Sequence, residues 1–164
     1  MAYVIFDLDG TVICSKHRQN TLSDGSLDLE HWLEHNTYEK IMGDSLLPLA
    51  RIMRSMKIAG HKIIVCTART PHEANIEFLL QHELHYDVYL SRGINDWRGD
   101  AELKVDLLRD YFMCEGFSSV ADAKAIMFED NLKVINALQR EGVTIYDANL
   151  ANANFRKIEQ RKVA

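Results

Sequence analysis

Cysteine is scarce: Cys14, Cys66 and Cys114 are the only three in 164 residues, and their spacings are unrelated. An odd, scattered set excludes a disulfide framework and reads as free thiols in a reducing compartment. Cations are in deficit, with 19 Lys plus Arg against 24 Asp plus Glu for a formal charge of −5. That excludes a broadly basic nucleic-acid coat, while a local patch can still hold an anion. No run approaches the roughly 18 apolar residues of a membrane span, so no membrane partner is expected. MAYVIFDLDG meets Asp7 too early for a signal-peptide core, and a cytoplasmic protein is expected, in a host cytoplasm if the source is viral. There is no internal repeat or low-complexity tract. No GxxxxGK[ST] loop occurs either, which removes ATP-dependent phosphorylation from the expectations.

What is present reads as one globular domain over residues 1–164, 47% hydrophobic and 26% charged. Nearly continuous apolar runs at Tyr3–Asp7, Lys62–Cys66, Asp87–Leu90, Ala125–Phe128 and Val143–Tyr146 suit strands buried on both faces. Helical patterns alternate with them. Asp44 can cap a helix carrying Leu46, Leu49, Ala50 and Met53, which Gly60 stops. Thr70-Pro71-His72-Glu73 has the form of a capping box, with Ile76, Leu79 and Leu80 inward behind it. Asp100 precedes a helix with Leu103, Leu107, Leu108 and Tyr111 inward, and Asn131–Glu141 is closed by Gly142. The expected fold is an α/β three-layer sandwich around a doubly wound, mainly parallel five-stranded sheet. A small cap-like insert at about residues 12–43, amphipathic around Leu29, Trp32 and Leu33, follows the first strand, and the basic tail forms a solvated or docked helix.

Ligands of such sheets bind beyond the carboxyl ends of the strands. Those ends carry Asp7-Leu8-Asp9-Gly10-Thr11, Thr67-Ala68-Arg69 and Glu129-Asp130-Asn131. Asp7 and Asp9 are two apart, so an extended backbone turns both to one side. Gly10 then permits a sharp turn that the Thr11 hydroxyl can tie. Four carboxylates at one edge, Asp7, Asp9, Glu129 and Asp130, need a counter-cation, and oxygen-only ligands with open positions suit Mg²⁺. Lys104, poorly placed against the helix dipole for structure alone, can neutralise a transferring phosphate.

In this order, FDLDGT, IIVCT, a downstream lysine and IMFED resemble the motifs of the haloacid dehalogenase superfamily of phosphatases, over residues 3 to 147. The resemblance implies that Asp7 is the nucleophile and forms an aspartyl-phosphate, while Asp9 is general acid and then base. It implies that Thr67 and Lys104 hold the phosphoryl oxygens. It also implies that Asp7, the Asp9 carbonyl and Asp130 bind Mg²⁺, with Glu129 in or beside that shell. Asp9 favours phosphoryl transfer over dehalogenation. Thr67-x-Arg69, the small insert and Arg98-Gly99-Asp100 ahead of Lys104 further resemble the phosphatase half of viral polynucleotide kinase-phosphatases. Gly10, Thr11, Arg69 and Arg98 are then the candidate substrate-binding residues, with Arg92 as a further grip on phosphate. The implied substrate is a phosphorylated small molecule or nucleic-acid end, either a 3′-phosphate terminus or a nucleotide. Another small phosphate ester or a phosphoprotein is the alternative.

Two rivals compete. A phospho-acceptor receiver domain needs an acid at the third strand end, where Tyr89-Leu90-Ser91-Arg92 has none. A regulatory scaffold would have no reason to keep all four motif positions filled. Cys14, His17, His31 and His35 loosely imitate a zinc spacing without its paired-cysteine knuckle, and Trp32 with Leu29 and Leu33 reads as the insert's own core, with a substrate-stacking platform as the alternative.

Overall fold

The computed structural model describes residues 1–23 and 28–163, beginning with strand β1 (Tyr3–Phe6). Two short strands, β2 (Ile13–Cys14) and β3 (Ser45–Leu46), form an antiparallel pair of their own. Strands β4 (Lys62–Cys66), β5 (Val88–Leu90), β6 (Ile126–Glu129) and β7 (Thr144–Asp147) join β1 in a five-stranded parallel sheet, ordered β5-β4-β1-β6-β7. Helices α1 (Leu29–Glu34) and α2 (Tyr38–Met42) lie between β2 and β3. They are followed by α3 (Leu49–Ile58), α4 (Glu73–Gln81), α5 (Asp100–Cys114), α6 (Leu132–Arg140) and α7 (Ala148–Val163).

The two-residue period of the strands sets the layers. Val4, Phe6, Ile63 and Val65 pack with Met53, Phe78 and Ala148, from α3, α4 and α7. Ile5, Ile64 and Met127 point the other way, onto Leu108 and Phe112 of α5 and Val134 and Leu138 of α6. The expected three-layer α/β sandwich is what forms, with strand limits within one residue of those read from sequence. No helix among the described residues is long and apolar enough to cross a membrane.

Several local expectations fail for identifiable reasons. Asp44 does not cap α3; its carboxylate accepts Nε and Nη2 of Arg18 at 2.9 and 3.0 Å, and Leu46 belongs to β3. Pro48 takes the cap position of α3. The capping box at Thr70 is not used, because α4 starts at Glu73 and the His72 ring caps it by accepting the Ala74 N–H. Its inward stripe is Ala74, Asn75, Phe78 and Leu79, leaving Leu80 57% exposed. The Thr11 hydroxyl ties nothing: it is buried without a hydrogen-bond partner among the described residues. The turn is held by main chain, with the N–H groups of Thr11, Val12 and Ile13 all donating to the Leu8 carbonyl. The basic tail docks: Asn152 of α7 is buried, accepts the Leu49 N–H at 2.9 Å and donates to the Thr11 carbonyl at 2.9 Å.

Candidate active site

Strand order makes a crevice beside β1, since the chain builds to one side through β4 and β5 and then to the other through β6 and β7. Asp7 and Glu129 stand at neighbouring positions there, the Asp7 N–H donating to the Phe128 carbonyl at 3.1 Å. Alternation turns both side chains towards the sheet face that α5 covers. Lys104 falls on the buried stripe of α5 with Leu108 and Phe112, at helical spacing, so its stem is delivered to that edge. Its ammonium reaches Asp7 Oδ1 at 2.6 Å and Glu129 Oε2 at 2.7 Å. Burial works against a charged lysine, but Asp7 and Glu129 outweigh it and hold Lys104 protonated well above the ordinary range. Burial pushes the Asp7 carboxyl up to about 7, aided by Glu129 and opposed by Lys104. Burial likewise raises Glu129, and burial with Asp7 alongside raises Asp130 to about 6.

Asp9 belongs to a second cluster. Arg69 Nε donates to Asp9 Oδ2 and Nη2 to Asp9 Oδ1, both at 2.8 Å, and Ser15 Oγ donates to Oδ1 as well. Arg69 Nη2 also reaches Asp44 Oδ2 at 2.9 Å, and Nη1 reaches Asn75 Oδ1 at 2.7 Å. Arg18, fully buried, completes the set between Asp44, Asn36 and the Trp32 ring, whose centroid lies 4.1 Å from its guanidinium carbon. Two arginines and two aspartates thus balance in a low-dielectric setting where an unpaired member would be costly. Burial alone would raise Asp9, but Arg69 first, then Ser15 and Arg18, lower it below the usual carboxylate range.

Both clusters line one cavity of about 720 Å³, shared by Asp7, Asp9, Thr67, Lys104 and Asp130. Thr67 is buried and its Oγ1 accepts the Arg69 N–H at 3.2 Å. Oxygens of Asp7, Glu129 and Asp130 lie within 4.8 Å of one another. Gly10 lets Asp130 approach, for a Cβ there would collide with the Asp130 carboxylate, and its φ of +73° is one that glycine adopts freely. Burial and mutual repulsion raise all three carboxyls, so a cation among them would favour their ionised forms, and the donors are all hard oxygens. The set fits a divalent ion such as Mg²⁺.

The structure brings Asp7, Asp9, Thr67, Lys104, Glu129 and Asp130 to one place, and Gly10 with them. Asp9 contributes no carboxylate to the metal-type trio, because Arg69 holds it. Arg69 lies against the cavity with its guanidinium occupied by protein partners. Arg98 is bound to Asp96 and Asp106, each with a contact of 2.6 Å. Arg92 donates to the carbonyls of Ala68, Asp96 and Arg98, which braces the loop before α5. The zinc-like set does not assemble: the only metal-type cluster among the described residues is the carboxylate trio, and His31 stacks on His35. Arg18 and Asp44 were missed by sequence reasoning. Arg18 stands in a polar stretch without periodicity, and Asp44 has a helix-cap signature.

Residues 1–94 match the family model described as bacteriophage T5 5′-deoxynucleotidase. The curated 5′-deoxynucleotidase of Escherichia phage T5 is 35% identical over 133 residues, covering 77% of this chain and 50% of that protein. The chain thus spans about half the length of that relative. Among solved structures, a chain of the Pnkp1/Rnl/Hen1 complex superposes with a TM-score of 0.67 at 24% identity, over 89% of this chain and 45% of that one. A haloacid dehalogenase-like hydrolase from Streptococcus pneumoniae gives 0.64 at 12% identity, over 90% and 84%. One from Geobacter sulfurreducens gives 0.62 at 14% identity, over 90% and 89%. The fold is that of the haloacid dehalogenase superfamily.

Proposed function

The chain belongs to the bacteriophage T5 5′-deoxynucleotidase family, and we propose that it is a phosphomonoesterase that removes the 5′-phosphate of deoxynucleoside monophosphates. The observation that carries this reading is the convergence of Asp7, Glu129 and Asp130 with Lys104 in a cavity large enough for a nucleotide.

Asp7 is the nucleophile. One of its oxygens bonds to phosphorus as the bond from phosphorus to the nucleoside oxygen breaks, and Asp9 supplies the proton to that leaving oxygen. In the second half Asp9 takes a proton from water while the water oxygen bonds to phosphorus. The bond to Asp7 then breaks, which frees phosphate and restores the Asp7 carboxylate. The arginine fork favours the carboxylate form of Asp9 that this second half requires and opposes the acid form that the first half requires, so Asp9 must take up its proton before the ester bond breaks. Lys104, released from Asp7 as the charge there moves onto the phosphoryl group, faces the phosphoryl oxygens together with Thr67. Asp7, Asp130 and the Asp9 carbonyl would hold Mg²⁺, with Glu129 beside them. Bound there, the ion would offset phosphoryl charge and align the ester.

Phosphate release from the deoxynucleoside 5′-monophosphates, with Mg²⁺ and with EDTA, tests the reading. A 3′-phosphorylated oligonucleotide, a sugar phosphate and a phosphopeptide serve as competitors. Mononucleotides should give the highest kcat/KM, and EDTA should silence them. Preference for the oligonucleotide end would overturn the substrate assignment. Undiminished turnover in EDTA would remove the metal.

A further inference from the structure

Trp97 is 82% exposed although it lines the active-site cavity. An exposed tryptophan is ordinarily a weakness of a surface, and this one stands on a loop built to hold it still. Arg92 ties the loop by donating to the carbonyls on either side of Trp97, Asp96 at 2.9 Å and Arg98 at 2.7 Å. The same guanidinium reaches the Ala68 carbonyl at 2.9 Å and Asp100 Oδ1 at 2.8 Å, which links the loop to the end of β4 and the start of α5. Asp96 and Arg98, the two neighbours of Trp97, also clasp each other, and Arg98 reaches Asp106 on α5 at 2.6 Å. The main chain that carries the indole is therefore fixed at the rim of the cavity.

Phosphate handling does not account for the remaining space. The cavity measures about 720 Å³, and the phosphate-handling groups cluster at the strand ends. An aromatic ring carried on a braced main chain, with an uncovered face, suits a flat π-system that arrives with the phosphate. We propose that Trp97 is the stacking platform for the nucleobase, so that the loop before α5 sets the preference for nucleotides over base-free phosphate esters. This rests on the phosphatase reading only for the position of the phosphate. Base–aromatic stacking tolerates any base, so little discrimination among the four deoxynucleotides should arise from this residue.

The test compares kcat/KM for a deoxynucleoside 5′-monophosphate and for 2-deoxyribose 5-phosphate in wild type, Trp97→Ala and Trp97→Phe. The ratio of nucleotide to sugar phosphate should fall about tenfold or more in Trp97→Ala and largely recover in Trp97→Phe. An unchanged ratio, or an equal loss on both substrates, would overturn the proposal. Tryptophan fluorescence keeps it testable if neither ester is turned over, an outcome that would sink the phosphatase reading alone. Saturable quenching by the mononucleotide that is clearly larger in wild type than in Trp97→Phe, where only Trp32 of the cavity remains to report, supports stacking. Equal quenching in both proteins, or none in either, overturns it.

Discussion

Arg69 and Asp9 meet through a two-pronged contact, Nε to Oδ2 and Nη2 to Oδ1, both at 2.8 Å. Lysine, a single point charge, cannot reproduce that fork and also reach Asn75 and Asp44. Arg69→Ala should destabilise the protein by about 3 kcal/mol or more, because Asp9 and Asp44 lose a buried partner. Arg69→Lys should recover less than half of that. Urea denaturation reads both, and a loss below about 1 kcal/mol in Arg69→Ala would show that the fork is dispensable.

Gly10→Ala places a methyl where the Asp130 carboxylate now lies. Asp130 must swing away, so affinity for Mg²⁺ should drop about tenfold to a hundredfold, in the range seen when groups that orient metal ligands are disturbed. Isothermal titration with Mg²⁺ would measure it. Wild-type affinity in this variant would mean that Asp130 is not a ligand.

Asp7→Asn should leave the fold in place, since Lys104 keeps Glu129 as its partner at 2.7 Å. Turnover should fall more than about a hundredfold, as expected when the attacking group itself is removed. Circular dichroism and phosphate release together decide. Substantial residual kcat would exclude attack by Asp7.

Asp87 gives a pH prediction away from the site. Partial burial pushes its carboxyl up, but the hydrogen bonds from Lys57 and from the Ile63 N–H, the latter at 2.7 Å, outweigh it and hold it below its ordinary 3.8. A folded-state value below the unfolded one contributes stability above the unfolded value, and that contribution disappears as the pH falls through the folded value. Asp87→Asn should therefore be less stable than wild type at pH 7, and the gap should close below about pH 3.8. A gap that persists in acid would show that charge is not its source.

Cys66 precedes Thr67 at the end of β4 and is fully buried, and burial pushes its thiol up to about 12. Thiol titration of the native protein should label exposed Cys114 quickly and leave Cys66 untouched until denaturant is added. Labelling of Cys66 at the rate of Cys114 would contradict the burial.

The sheet was legible because its strands are covered on both faces, so Tyr3–Phe6, Lys62–Cys66 and Ile126–Glu129 are almost uniformly apolar and end on polar residues. Lys104 was legible as an exception to the dipole, whereas its place on the buried stripe with Leu108 and Phe112 emerges only in the structure, because the apolar positions read from the sequence were Leu103, Leu107, Leu108 and Tyr111. The pairing of Arg18 with Asp44 was not, because ion pairs between distant loops leave no period in the chain. Asp44 misled for the same reason that it is useful: a short acid before a helix serves a cap or an arginine equally well, and the buried guanidinium beside it wins. Leu46 went to a two-residue strand because Ile13 offered a pairing edge that no local propensity announces.

Asp7 precedes Lys104 by 97 residues, Glu129 and Asp130 come later still, and the four groups meet only when β6 inserts against β1. A product that stops after β5 would carry Asp7 without the lysine and without the other two carboxylates, and on the proposed mechanism it would be silent. On that mechanism, competence would come with completion of the sheet rather than from any local segment.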